Sequence, residues 1–265
     1  MPLFEMEATK RRRKRSKPRQ AELVFVRTWG GKRAHAGRPK LAQRKGVPRR
    51  TRPDLHAKHP VHVTLRLLGS AAGLRKTHLY REIRAVMRHL GTREDFRICH
   101  YSIQRNHVHL VCEADDRRAL SRAVQVFCSM VARRINRARG CSGQVFADRY
   151  HARALTTPTE VRHALCYVLN NWRHHRYDQK RWHFDPFSSG GLFDGWSNAA
   201  AEAQPPWLDP DEPIPIARPR WWLLREGWRL GGGEISTREV PGMAGRPPRR
   251  AHREISASFP VEDAR

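Results

Sequence analysis

The 265 residues include 52 Lys/Arg against 25 Asp/Glu, a formal charge of +27 that exceeds what solubility requires and points to a polyanionic partner. Five cysteines without a C-x-x-C pair argue against a disulfide framework or a zinc ribbon. With neither the apolar run of a signal peptide nor about 20 apolar residues to span a bilayer, the expectation is a soluble, cytoplasmic protein with no membrane partner.

Residues 1–58 hold 19 Lys/Arg against four acids and are expected to form a basic, largely disordered arm. Arg11, Arg12, Arg13, Lys14 and Arg15 within it suit phosphate contacts. Gly37-Arg38-Pro39 and Gly245-Arg246-Pro247 share only a three-residue core with minor-groove hooks.

From His59 the texture becomes periodic. Val61 to Leu68 alternates and is rich in β-branched residues, which predicts a strand. Leu74 to Leu90 places Leu79, Ile83, Val86, Met87 and Leu90 on one helical face and stops at Gly91. Phe96 to Ile103 and His107 to Cys112 read as a hairpin across Gln104-Arg105-Asn106. Ala119 to Ala138 is a long helix with Arg133, Arg134 and Arg137 near its C-terminal end, where they suit the helix dipole and offer phosphate contacts. Val145 to Leu155 reads as a fourth strand with a break at Asp148, and Thr157-Pro158-Thr159-Glu160 opens a last helix.

The order β-α-β-β-α-β predicts an α+β, ferredoxin-like domain over 59–181: an antiparallel sheet with helices on one face, followed by a C-terminal helix. Residues 182–265 read as a Gly/Pro/Trp-rich, partly disordered extension. Ser188-Ser189-Gly190-Gly191 and Pro205-Pro206 mark its weakest structure, and Trp221 to Leu230 is a segment able to dock back on the core.

Two elements carry chemistry. In His107-Val108-His109 the two-residue period puts both imidazoles on one face of a strand, a platform for a divalent metal that needs a third ligand. In the last helix Tyr167 and Asn171 are one turn apart on a shared face, with His163 one turn the other way. Tyr80, Tyr101, Tyr150 and Tyr177 lack such a placement, although Tyr150 suits stacking on a base. Trp172, Trp182, Trp221, Trp222 and Trp228 are further stacking candidates.

His107-Val108-His109, then Phe146-Ala147-Asp148-Arg149-Tyr150-His151, then Tyr167-Val168-Leu169-Asn170-Asn171 resemble the HUH single-tyrosine transposases. The likeness is strongest to the REP-associated tyrosine transposases and small insertion-sequence transposases, and runs from His59 to His175. It implies His107 and His109 as ligands of Mg²⁺ or Mn²⁺, Asn171 as third ligand with Asn170 as the alternative, and Tyr167 as nucleophile on single-stranded DNA beside a hairpin. The implied function is a DNA endonuclease and strand-transferase acting through a 5′-phosphotyrosine, at the nucleoid, with a homodimer and shared active sites left open. Two rivals stand beside it. One is a non-catalytic single-stranded nucleic-acid-binding protein with the same core. The other is a replication initiator or relaxase, which the missing P-loop disfavours.

Overall fold

The computed structural model describes residues 51–175, 182–197 and 212–241. Arg11–Arg15, both Gly-Arg-Pro units, Tyr177 and Pro205-Pro206 lie outside the described residues.

The element order is β1 (Val61–Arg66), α1 (Thr77–Leu90), β2 (Phe96–Ile103), β3 (His107–Ala114), α2 (Arg117–Arg139), β4 (His151–Ala154), α3 (Pro158–His174) and a short α4 (Trp222–Arg225). The strands form one sheet in the order β2-β3-β1-β4, with every neighbouring pair antiparallel. This is the ferredoxin-like arrangement that the sequence predicts.

Strand alternation divides the sheet into two working faces. Val61, Val63 and Leu65 of β1, with Val108, Leu110 and Cys112 of β3, are buried with α1 and α2 in the main core. The intervening residues, His62 and Thr64 on β1 and His107, His109 and Val111 on β3, therefore face the other way. There Cys99 and Val111 pack with Val161, Leu165, Val168 and Leu169 of α3. The sheet is covered on both faces, by α1 and α2 on one and by α3 on the other.

Local chemistry sets the helix ends. The Asp116 carboxylate accepts from the Ala119 N–H at 2.7 Å to open α2, and Gly140 closes it in the left-handed region at φ 62°. The Thr157 hydroxyl accepts from the Glu160 N–H at 3.2 Å, Pro158 occupies the first turn, and Glu160 reaches back to the Thr156 N–H at 2.8 Å.

The strand 145–155, expected with a break at Asp148, is two separate pairings along β1 and its continuation. The first joins Val145–Ala147 to Arg66–Leu68, and the second is β4 itself. Between them the Asp148 carboxylate accepts the Arg149 N–H at 2.7 Å, a local turn that competes with the ladder. In β2 one extra residue at Cys99 breaks the register between Ile98 and His100, so that Tyr101 and Ile103 join Ile98 in the main core.

The C-terminal extension contains ordered, buried structure. Ser188 bridges to Ser102, the Ile103 N–H donates to the Phe187 carbonyl, and the Ser189 N–H donates to the Tyr101 carbonyl, so this segment covers the open edge of β2. Ser188, Ser189 and Gly190 are buried, contrary to the expectation for that run. Its glycines are needed for closeness: a Cβ on Gly191 would lie 2.8 Å from the Phe184 ring. Arg75 holds buried Asp185 through a two-bond fork at 2.8 and 2.9 Å. Trp221 to Leu230 docks as the sequence suggests, placing Leu223, Leu224 and Trp228 against α3. At the other end Leu55 packs on the core and Arg52 lies 3.7 Å over the Tyr150 ring, so both contact the domain. No helix among the described residues is long and apolar enough to cross a membrane.

Candidate active site

On the α3 face, β3 and β1 present a row of polar side chains. Their antiparallel register sets Thr64 opposite His109 and Arg66 opposite His107. The two imidazoles of β3 are stacked, with centroids 6.0 Å apart and planes 13° from parallel. His107 Nδ1 meets Asn106 Oδ1 at 2.8 Å, and His109 Nδ1 lies 3.2 Å from Thr64 Oγ1 and 3.4 Å from His62 Nε2. Both rings thus engage a neighbour through Nδ1, which leaves Nε2 as the nitrogen able to bind a further group.

Burial is the main reason these rings stay neutral. It pushes His109 down to about 3, helped by the nearby charges of His62, His107 and His175. It pushes His62 down to about 4, with His151 and Arg153 adding to the effect. His107 is less enclosed and is lowered by burial first, then by Arg66 and His175.

Tyr167 reaches this row from α3. Its ring meets His109 edge-on at 5.3 Å and His62 at 5.7 Å, while 37% of the residue remains exposed. One turn later Asn171 is fully buried, and neither its Nδ2 nor its Oδ1 has a hydrogen-bond partner in the protein. An unpaired buried amide costs about 1–3 kcal/mol, so its placement calls for a ligand or function. Asn170 donates from Nδ2 to the Ser236 carbonyl at 2.9 Å, while its Oδ1 is likewise buried without a partner in the protein, so it stays the alternative donor. Among the described residues no three His, Cys, Asp or Glu side chains converge to hold a metal, so two imidazoles here would need a donor of another type.

The structure brings Tyr167, His107 and His109 to one face, with Asn171 buried a turn beyond Tyr167. It keeps Arg133, Arg134 and Arg137 apart from them, because α2 covers the opposite face. Arg134 is paired there with Glu82 at 2.7 Å, and the three arginines with Met130 line a shallow groove. Trp172 and Trp228 are buried and are not base platforms, and the Tyr150 hydroxyl meets Ser121 at 2.9 Å beneath Arg52. Sequence reasoning missed His62, Thr64 and His175. The first two carried a signal in the alternation of β1, which turns them away from Val61 and Val63, but the cross-strand register that sets them beside His109 is not local information.

No curated protein matches the chain. Among the solved structures similar to it are two of low identity. One, a REP-associated tyrosine transposase bound to a REP hairpin, has a TM-score of 0.47 and 16% identity, covering 63% of this chain and 99% of that one. The other, a candidate transposase from Deinococcus radiodurans R1, has a TM-score of 0.32 and 14% identity, covering 49% of this chain and 93% of that one. Residues 58–171, which run from just before the sheet to Asn171, match the family model described as transposase IS200-like.

Proposed function

We propose that the domain is a DNA endonuclease and strand-transferase that cuts single-stranded, hairpin-associated DNA with Tyr167 as nucleophile. The reaction forms a 5′-phosphotyrosine intermediate and uses a divalent cation, Mg²⁺ or Mn²⁺, held by His107, His109 and Asn171. The observation that carries this reading is the half-exposed Tyr167 ring edge-on to His109, one turn before a buried Asn171 whose amide lacks any protein partner.

The donor set fits a cation. Binding requires unprotonated imidazole, and burial keeps both rings in that form. Asn106 and Thr64 hold Nδ1 of each ring, the supporting contact that ligating histidines usually have. Two imidazoles with one amide oxygen suit Mn²⁺ at least as well as Mg²⁺, which prefers all-oxygen sites. When bound, the cation would polarise the scissile phosphate and stabilise the departing 3′-oxygen.

The chain's own residues supply orientation. His62 and His109 brace the Tyr167 ring while leaving it open to solvent and therefore to a strand. In the covalent intermediate the phosphodiester energy is kept for rejoining, so no nucleotide cofactor is needed. Tyr167 meets His109 and His62 within one chain, which supports a reading in which nucleophile and imidazoles belong to the same subunit. Arg11 to Arg15 would add phosphate contacts from the basic arm.

The test is incubation of the full chain with 5′- and 3′-labelled hairpin DNAs and Mn²⁺ or Mg²⁺, followed by a denaturing gel. A slow-migrating complex that keeps the 3′-side fragment is expected, and it should vanish with EDTA and in Tyr167→Phe. Binding without covalent attachment across many hairpins would instead establish the non-catalytic module.

A further inference from the structure

The sheet face that carries His107 and His109 also carries a positive charge that the proposed chemistry leaves unused. Strand β1 turns His62, Thr64 and Arg66 towards this face, and β4 adds His151 opposite Thr64 and Arg153 opposite His62. The two arginines of these strands differ. Arg153 is paired with Glu160 at 2.6 Å. Arg66 is exposed, and among the described residues no carboxylate, carbonyl or hydroxyl accepts from its guanidinium.

The register places Arg66 directly across from His107, and side chains so paired start about 4.5–5.5 Å apart at Cβ. After burial, the charge of Arg66 is what most keeps the His107 ring unprotonated. Elsewhere in the domain Arg75 holds Asp185, Arg134 holds Glu82 and Arg162 holds Glu239. Arg66 has no such partner among the described residues, so its N–H donors stay open to a ligand.

Position along the strand decides which ligand that is. Tyr167 stands 5.7 Å from His62 and also meets His109, the residue opposite Thr64. Arg66 lies two residues beyond Thr64, beside His107. Nucleophile and guanidinium therefore flank the two imidazoles from opposite ends, with His62 and Arg66 about 13 Å apart along β1 at about 3.3 Å per residue. A phosphate attacked by Tyr167 and engaged at His107 and His109 lies in that interval.

In the step itself the Tyr167 Oη–P bond forms, and the P–O3′ bond breaks with its electron pair left on the 3′-oxygen. The phenolic proton passes to solvent and the freed 3′-oxygen takes one up. Negative charge is spread over the non-bridging oxygens in the transition state. A guanidinium fork matches phosphate oxygens and stays charged at every working pH. Resting on the tyrosine chemistry proposed above, we infer that Arg66 is a further catalytic residue, gripping a non-bridging oxygen of the scissile phosphate from the side opposite Tyr167.

The test measures the rate of covalent-complex formation by the full chain with Mn²⁺ on a hairpin DNA whose cut position has been mapped. That position carries either the natural phosphate or a methylphosphonate, in which a neutral methyl replaces one charged oxygen. On the phosphate, Arg66→Ala should be slower by about 100-fold, the loss typical of one transition-state donor. Arg66→Lys, which keeps the charge without the fork, should be slower by only about tenfold. Arg66→Ala should gain at least about tenfold on the methylphosphonate, a gain that wild type does not show, because the charge to be stabilised is gone. Urea unfolding and DNA affinity without metal should barely move. Arg66→Ala at the wild-type rate on the phosphate overturns the role of Arg66 and leaves the tyrosine chemistry standing. A variant no faster on the methylphosphonate, or a gain shared by wild type, does the same. A wild-type chain that captures no hairpin DNA overturns both.

Discussion

Asn171 is costly to the fold, and the proposed chemistry gives it a use. Its amide is fully buried and unpaired, so Asn171→Leu should leave urea-unfolding stability unchanged or raise it by about 1–3 kcal/mol. The same change should lower covalent-complex yield with Mn²⁺ at least about tenfold, as loss of a metal ligand or its support does. A variant that was strongly destabilised, or that kept full activity, would contradict the role. His100 allows a pH test remote from the proposed ligands. Burial pushes it down to about 4, its Nδ1 has no partner, and its ring sits edge-on to Phe193 at 5.4 Å. The folded chain holds this ring neutral, whereas the unfolded chain takes up a proton below its ordinary value of about 6.5. Stability is therefore unaffected by this group above that pH and falls as pH drops from about 6.5 towards 4, by about 2 kcal/mol at pH 5. His100→Leu should flatten that part of the stability profile in urea titrations at pH 7 and pH 5.

At the scale of elements, the helix bearing Tyr167 is fastened by the segment that follows α4. Arg162 forks onto Glu239 and also donates to the Gly233 and Glu234 carbonyls, and Arg173 donates to the Thr237 carbonyl at 2.6 Å. Gly231 passes so close to the first turn of α3 that a Cβ would lie 2.6 Å from the Pro158 backbone. These contacts hold the helix along several turns, including the one before Tyr167 and the one after it. Arg162→Ala would leave a largely enclosed carboxylate and two carbonyls without their donor, costing about 2 kcal/mol. Hydrogen exchange should rise selectively over residues 233–239, and covalent-complex formation should slow while Tyr167 itself is intact. Uniform exchange across the domain would show that the segment is not a distinct fastening. The periodicity of α3 made the helix legible, but not its binding partner. The residues that clamp it are about 70 positions away and occur in sequence with no period of its own.

For the whole molecule, charge and chemistry are unevenly distributed along the chain. Residues 1–50 hold 17 Lys/Arg against three acids, whereas the proposed centre is a row of neutral imidazoles beside a tyrosine. Removing residues 1–50 keeps the Arg52 and Leu55 contacts and should weaken binding to single-stranded DNA. The slope of log affinity against log salt should become shallower by at least about 2, because each lost phosphate contact removes about 0.7. An unchanged slope would show that the arm makes no such contacts.

The strand and helix periods, the helix caps and the order β-α-β-β-α-β were legible in the sequence because each depends on residues within a few positions of one another. His107, His109, Tyr167 and Asn171 stood out for the same reason: two-residue and four-residue spacings decide which side chains share a face. Tertiary structure decided the rest. Only the antiparallel register sets Thr64 and His62 against His109, and only the extra residue at Cys99 turns Tyr101 into the core. The run Ser188–Gly191 looked unstructured because its small polar residues have no internal pattern to satisfy. It is ordered because the open edge of β2 supplies the hydrogen-bond partners, and an edge exists only once a sheet has formed.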